Sequence, residues 1–327
     1  RGVDEHIQSV RRHLATVKRN RGQPRRDLDG FDQRERFGMS LTPTDPGTGR
    51  VDTDHLQRLV GRLDHPGVAT IGLLGSTGSY MYLTPAERDR ALRAGIEAAA
   101  KPVLAGIGAH HTAQVIAYAR AAEDAGAAGL LLAPVSYLPL TDDDVFHLFQ
   151  DVAQATGLPI LVYNNPGTTH FAVSETLLAR LSVITGVSGV KNPPAPGGDF
   201  AGQLARLRVT TTTGFSLGYS GDSAILGALR AGASAWYSVL AGTLPEAASR
   251  LWAARADDRD LAAAADPLAS LLATFDRYGS IRVIHEVSEL IGLGATPPPL
   301  PLRPLGTAAR DEIATALAAL PAPEPAQ

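Results

Sequence analysis

Short apolar runs punctuate the chain from Phe37 onward, and the segments between them keep a different rhythm. The runs are "FGMSL" (37–41), "VATIGLLG" (68–75), "PVLAGIG" (102–108), "GLLLAPV" (129–135), "LPILVY" (158–163), "GVSGVK" (186–191), "RVTTTTG" (208–214) and "SAWYSVL" (234–240). Each has the length of a buried strand, and most are bounded by Gly, Pro or Thr. The intervening segments are rich in Ala, Leu and Arg at helical spacing. "TPAERDRALRAGIEAAA" opens with Thr84, Pro85 and Glu87, the pattern of a capping box with Pro at the first helical position. "TDDDVFHLFQDVAQATG" has an acidic first turn and closes on Gly157; "TAQVIAYARAAEDAG" closes on Gly126. Eight strand-like runs with helices between them predict an α/β fold of the TIM (β/α)8 barrel type. A doubly wound open sheet would want a G-x-G-x-x-G turn after an early strand, and none stands in that context.

The flanks differ from this middle. Residues 1–36 are rich in Arg, Gln and Asp and read as a flexible N-terminal extension with a short amphipathic helix through Ile7, Val10, Leu14 and Val17. The barrel is assigned to residues 37–243. Beyond it the pattern turns to continuous helix, read as a C-terminal helical region over 244–310, crossed by the proline-rich "ATPPPLPLRPL". Residues 311–327 read as a terminal helix and a disordered tail, "PAPEPAQ".

Composition narrows the function classes. The 327 residues carry a net charge of −3 and 44% hydrophobic residues. That balance gives no pull towards nucleic acid or a membrane surface. No apolar run approaches the roughly 20 residues that cross a bilayer, and the first residues hold no leader-like apolar segment, so a cytoplasmic location is expected. The absence of cysteine excludes disulfides, thiolate metal sites and Cys nucleophiles. His110 and His111 are adjacent, point in different directions and make a poor chelate, so no metal is expected. Asp142, Asp143 and Asp144 read as a helix N-terminus and not a cation site.

One residue type stands out against this background. Of 30 basic residues only Lys18, Lys101 and Lys191 are lysines. Lys191 ends the sixth apolar run. Arg neither deprotonates in a protein nor forms an imine, whereas Lys does both when desolvated. Lys191 is therefore a candidate nucleophile, although an ordinary strand-end lysine fits the same stretch. In a barrel the reacting groups come from the C-terminal strand ends and the loops after them. Those positions hold "GSTG" (75–78), Tyr137, Tyr163 and Lys191. A lysine amine condenses with a ketone to an imine that acts as an electron sink; a phenol shuttles protons in that chemistry, and hydroxyls relay them or hold a carboxylate.

These segments resemble the dihydrodipicolinate synthase/N-acetylneuraminate lyase family of class I pyruvate aldolases. The resemblance covers roughly residues 37–305 and is carried by "GSTGSYMYLTPAER", by "YNNPGTTHF" with its Tyr 28 residues before "GVKN", and by "LRPL". It implies a Schiff-base lyase acting on pyruvate or a related 2-keto acid with an aldehyde partner. The covalent imine on Lys191 would serve without a cofactor, in a homo-oligomer, dimer or tetramer. It implies Tyr163 as the proton-transfer phenol, Tyr137 as a second tyrosine lent across a dimer interface, Ser76 as the link between them, and Thr77 in the Gly75 loop as the carboxylate holder.

Departures fall at the other end of the site. The family loop G-T-T-G-E closes here on Ser79, its "IS" pair appears as Tyr237–Ser238, and Asn192 and Pro193 follow the lysine. Where the synthase branch carries an arginine for the aldehyde's carboxylate, this chain has Thr168, followed by Thr169 and His170. Thr168, His170 and Tyr237 are thus expected to face the second substrate. The alternatives are 4-hydroxy-tetrahydrodipicolinate synthase proper, a 2-keto sugar-acid dehydratase, and a retired member that only binds a keto acid.

Overall fold

The computed structural model describes residues 35–321. The N-terminal helix expected through Ile7 to Val17 and the last six residues lie outside the described residues. Eight parallel strands close into a barrel in sequence order. They are β1 (Glu35–Met39), β2 (Thr70–Leu73), β3 (Val103–Gly106), β4 (Gly129–Leu132), β5 (Ile160–Tyr163), β6 (Val187–Asn192), β7 (Ser216–Tyr219) and β8 (Ala235–Ser238). Each short apolar run is buried on both faces, against the helices outside and against side chains within. Inside, Phe37 and Tyr237 are register partners and stack at 4.3 Å, filling the barrel beneath its mouth.

Seven of the eight runs predicted from the pattern are strands; "RVTTTTG" is not. Val209 and Thr210 end the helix Phe200–Thr210, and Thr210 and Thr211 return their hydroxyls to the carbonyls of Arg206 and Leu207. β-branched residues favour strands on average, but a threonine that bonds back along its own helix can sit at a helix end. The seventh strand is instead "SLGY", short and interrupted by Gly218, where an added Cβ would meet Tyr237 at 2.5 Å.

Helices follow the strands as α1 (Thr53–Gly61), α2 (Pro85–Ala98), α3 (Thr112–Ala125), α4 (Asp142–Ala155), α5 (Glu175–Ser182), α6 (Phe200–Thr210), α7 (Ile225–Arg230) and α8 (Pro245–Ala253). Their caps follow from the sequence. Thr141 and Asp144 form a complete capping box, and Gly126 closes α3 in the left-handed conformation. At α2 only half the box forms: Thr84 accepts from Glu87 N, while the Glu87 carboxylate accepts from Val51 N at 2.6 Å and ties the loop after β1 to α2. α4 ends at Thr156 in extended backbone and not on Gly157. His111 caps α3 through its Nδ1.

Four further helices, α9 (Asp258–Ala265), α10 (Ala269–Tyr278), α11 (Ser280–Leu290) and α12 (Thr307–Ala318), complete the chain. The last three pack on one another. Asp276 of α10 accepts from Ser223 Oγ at 2.6 Å and so braces the loop that follows β7. No described helix is long and apolar enough to cross a membrane.

Candidate active site

A one-residue irregularity sets the site. β5 and β6 start in register with Ile160 opposite Val187, but Leu161 then faces Gly189. Ser188 is the extra residue of a β-bulge. Were Ser188 paired with Leu161 in unbroken register, Tyr163 would face Val190; with Ser188 bulged out, Tyr163 pairs with Lys191. Because side chains alternate faces along a strand, one residue decides which side chain enters the barrel. Lys191 Nζ lies 4.0 Å from the Tyr163 ring centre and 5.7 Å from that of Tyr237. The lysine is 3% exposed and makes no hydrogen bond or salt bridge among the described residues.

The next pair up the strands locks this arrangement. Asn164 N donates to Lys191 O at 3.0 Å, and Asn164 Nδ2 donates to Asn192 Oδ1 at 3.1 Å. Asn164 Oδ1 accepts from Val173 N, so the buried amide spends its capacity on holding β5, β6 and the following loop together.

The Tyr163 hydroxyl is the centre of a polar triangle. Ser76 Oγ stands 3.1 Å away, and Asn165 Nδ2 donates to Tyr163 Oη at 3.0 Å and to Ser76 Oγ at 3.3 Å. Ser76 comes from the tight loop after β2, where Leu74 and Ser79 adopt positive φ. That loop sits so close on β3 that a Cβ at Gly106 would lie 1.8 Å from Leu74 O. Gly75, Thr77 and Gly78 of this loop are buried, and the Thr77 hydroxyl has no hydrogen-bond partner among the described residues.

A second polar group approaches from β7 and β8. Asp222 is 2% exposed; it accepts from Ser238 Oγ at 2.5 Å and from Val239 N at 3.1 Å. Burial pushes its carboxyl up, opposed by the Ser238 hydroxyl, the Val239 and Leu240 amides and the charge of Lys191.

The other expected residues are placed as follows. Thr168 is exposed and bonds back to Asn165 O; His170 is exposed with φ of 55°. Thr169, although beside them, is buried with its hydroxyl committed to the Asn165 and Phe171 carbonyls, so it offers nothing to a ligand. Tyr237 lies beneath Lys191 inside the barrel, 1% exposed. Tyr137 is 92% exposed on the loop after β4 and bonds to neither Ser76 nor Tyr163 within the chain. Among the described residues there is no group of three or more His, Asp or Glu able to hold a metal.

Sequence reasoning missed Asn165 as the link between Ser76 and Tyr163, the Asn164–Asn192 brace, and Asp222. Asn165 occupies the variable position of Y-N-x-P, so only its polarity at a strand end signalled it. Asp222 escapes the pattern because the run "RVTTTTG" begins eight residues before β7 and so masks the loop that follows the strand.

A closed (β/α)8 barrel with an unpaired amine and a hydrogen-bonded phenol side by side at its C-terminal mouth defines a class I, imine-forming lyase or aldolase. Comparison with known proteins gives the particular lineage. The profile of the dihydrodipicolinate synthetase family matches residues 34–320, and the chain belongs to that family. It is 32% identical to a 4-hydroxy-tetrahydrodipicolinate synthase of Mycobacterium leprae (strain Br4923), over 87% of this chain and 95% of that one. It is 34% identical to one of Salinibacter ruber, over 72% and 78%. Among solved structures, a dihydrodipicolinate synthase from Agrobacterium tumefaciens str. C58 superposes with a TM-score of 0.86 at 42% identity, covering 89% of this chain and 99% of that one.

Proposed function

We propose that this protein forms an imine between Lys191 and pyruvate or a related 2-keto acid, and uses the derived enamine to make or break a C–C bond with an aldehyde. The observation that carries the reading is the cross-strand pairing of Lys191 with Tyr163 at the mouth of the barrel. The Lys191 amine adds to the keto carbon through its nitrogen lone pair. Tyr163 protonates the departing hydroxyl, and the carbinolamine loses water to the imine. Removal of a proton from the adjacent carbon gives the enamine, the carbon nucleophile of the synthetic direction. Ser76 and Asn165 keep the Tyr163 proton in place between steps. The free Thr77 hydroxyl in the Gly75 loop suits the keto acid's carboxylate. No other cofactor is required by these steps.

Tyr137 reaches a site only if a second copy of the chain covers it. Leu138 beside it, and Met81 and Tyr82 on the loop after β2, are exposed too, large apolar side chains of the kind that partners bury. We read the working form as a cytoplasmic dimer or tetramer in which Tyr137 serves the neighbouring subunit.

The aldehyde is where this chain parts from the synthases it resembles. Thr168 is neutral where the synthase branch has a bidentate arginine, and a hydroxyl offers no fork to a carboxylate. His170 leaves a single polar ring at that edge. Aspartate semialdehyde is therefore expected to be a poor substrate, with an uncharged or hydroxylated aldehyde preferred. Incubation with pyruvate and borohydride, followed by digestion, should place the mass increase on the peptide of Lys191; an adduct on Lys18 or Lys101, or none with any 2-keto acid, overturns the assignment. An aldehyde panel assayed for pyruvate consumption tests the acceptor. Efficient turnover of aspartate semialdehyde, at about 10⁴ M⁻¹s⁻¹ or above in kcat/KM, would restore the 4-hydroxy-tetrahydrodipicolinate synthase alternative.

A further inference from the structure

The hydrogens of the Ser76–Tyr163–Asn165 triangle can be counted. An amide nitrogen carries two hydrogens and accepts nothing, whereas a hydroxyl carries one and also accepts. Asn165 Nδ2 lies 3.0 Å from Tyr163 Oη and 3.3 Å from Ser76 Oγ, so it has one N–H for each oxygen. The other end of the amide is idle: Asn165 Oδ1 has no hydrogen-bond partner among the described residues. The side chain is thus engaged only as a donor. Its backbone is steadied on both sides, by Asn164, whose N is bonded to Lys191 O at 3.0 Å, and by the fixed ring of Pro166.

The third side of the triangle, Ser76 Oγ to Tyr163 Oη at 3.1 Å, can run in either direction. If Tyr163 donates, its proton is committed to Ser76 and not to a substrate. If Ser76 donates, Tyr163 Oη accepts twice and its own proton is free to leave. Bonds into an oxygen that is gaining negative charge are about twice as strong as neutral ones, so departure of the proton favours the second direction. The N–H given to Ser76 polarises that hydroxyl in the same sense, towards Tyr163. Tyr163 is 6% exposed, and no other hydrogen bond reaches its hydroxyl among the described residues.

We propose that Asn165 is the positioning residue that orients this triangle: it sets Ser76 as donor to Tyr163, frees the Tyr163 proton for the substrate, and holds the phenolate that the proton leaves behind. In the carbinolamine step the C–O bond breaks, the nitrogen lone pair closes the C=N bond, and the Tyr163 proton departs with the hydroxyl as water. An iminium on Lys191 and a phenolate on Tyr163 remain, equal and opposite in charge. Asn165 passes on no proton of its own and acts through Tyr163 and Ser76. This inference rests on the imine reading of the site.

Asn165→Leu and Asn165→Asp keep the size of the side chain and change its hydrogens. Leu offers none. An Asp carboxylate only accepts and draws the Tyr163 proton to itself, whereas a protonated Asp donates again. Wild type and both variants are mixed with pyruvate and quenched with borohydride, at short times for the rate of imine formation and after long incubation for its extent. The series runs from about pH 8 down to about pH 5, where a carboxyl begins to take up protons. Each rate is expressed relative to wild type at the same pH, which cancels the titration of groups common to all three. The expected result is full extent in every protein and an unchanged KM for pyruvate. The rate in Asn165→Leu should fall about 10–100-fold, the scale of a lost hydrogen bond to a charged group. Asn165→Asp should be slower still at the upper pH, and it alone should recover as the pH falls. A rate in Asn165→Leu within about threefold of wild type overturns the proposal. So does an Asn165→Asp rate equal to wild type at the upper pH, because the side chain would then be accepting, or a relative rate in Asn165→Asp that ignores pH. Each variant decides by itself, so failure of one to fold leaves the other as the test. An absence of adduct in wild type overturns the imine reading and this inference together, whereas a normal adduct formed as fast in Asn165→Leu overturns this inference alone.

Discussion

Replacing Tyr163 by Phe removes one oxygen and leaves the rest of the ring. The ring face that Lys191 Nζ approaches at 4.0 Å is kept, so the surroundings of the amine persist. What is lost is the bond to Ser76 at 3.1 Å and the bond from Asn165 at 3.0 Å. Asn165 still reaches Ser76 at 3.3 Å, and both side chains are only half-buried. Each lost bond costs about 0.5–1.5 kcal/mol, so the fold loses roughly 1–3 kcal/mol by that principle and a few degrees of Tm. The kinetic loss is larger. Removing an acid–base group slows turnover by about 10²–10⁴-fold, which at 1.36 kcal/mol per decade is about 2.7–5.4 kcal/mol. The two effects separate cleanly: melting should move slightly, while pyruvate consumption with a competent aldehyde should nearly stop. Borohydride trapping after long incubation should still label Lys191, because an equilibrium adduct forms slowly without the phenol. Turnover within tenfold of wild type would show that the phenol moves no proton in a slow step and would refute the role given to it.

Four other outcomes follow from the geometry. Lys191→Arg installs a cation that forms no imine and should abolish both trapping and turnover, read by peptide mass mapping and steady-state rates; residual trapping elsewhere would expose a different amine. Deleting Ser188 removes the extra residue but leaves Gly189, Val190 and Lys191 opposite Leu161, Val162 and Tyr163, so borohydride should still trap the adduct wherever circular dichroism shows a folded barrel; loss of the adduct from a folded variant would refute the register argument. Gly106→Ala forces a methyl into Leu74 O, 1.8 Å away; backbone cannot yield as a flexible side chain does, so the cost should reach at least the 1–3 kcal/mol typical of overpacking, seen in urea melts. His285 is buried against the Thr296 carbonyl, and burial lowers its pKa from near 6.5 to about 4. The unfolded chain takes up that proton first as pH falls, so stability is full above about 6.5 and declines towards pH 4, by about 3 kcal/mol if nothing compensates. Urea melts at pH 7 and pH 4 should show a smaller decline in His285→Gln than in wild type.

Much of this architecture could be read from the chain. Seven of the strands announce themselves as apolar runs, and Lys191 is conspicuous in a chain that otherwise prefers arginine. What escaped has physical causes. Four consecutive threonines look like a strand, and only their back-bonding to Arg206 and Leu207 reveals a helix end. The bulge at Ser188 changes pairing without changing hydrophobic pattern, so the spacing of Tyr163 and Lys191 hints at proximity but not at how register delivers it. Asn165 and Asp222 act through partners distant in sequence, Ser76 and Ser238, and a polar residue without its partner is indistinguishable from loop chemistry. Thr169 illustrates the reverse: a hydroxyl that seemed available is consumed by neighbouring carbonyls.

The Lys191–Tyr163 pair is fastened by the sheet itself, through strand register and the Asn164–Asn192 amide bond. The segment from Thr168 to His170 has no such anchorage; Thr168 and Thr169 are tied to the carbonyl of Asn165 at the start of their own turn. Selection can therefore rewrite that turn, residue by residue or by insertion, without detuning the amine and phenol. On the proposed assignment the barrel would work as a fixed reactor with an interchangeable mouthpiece. A lineage built this way would be able to change its aldehyde by trading a short loop while keeping the chemistry of the amine and phenol.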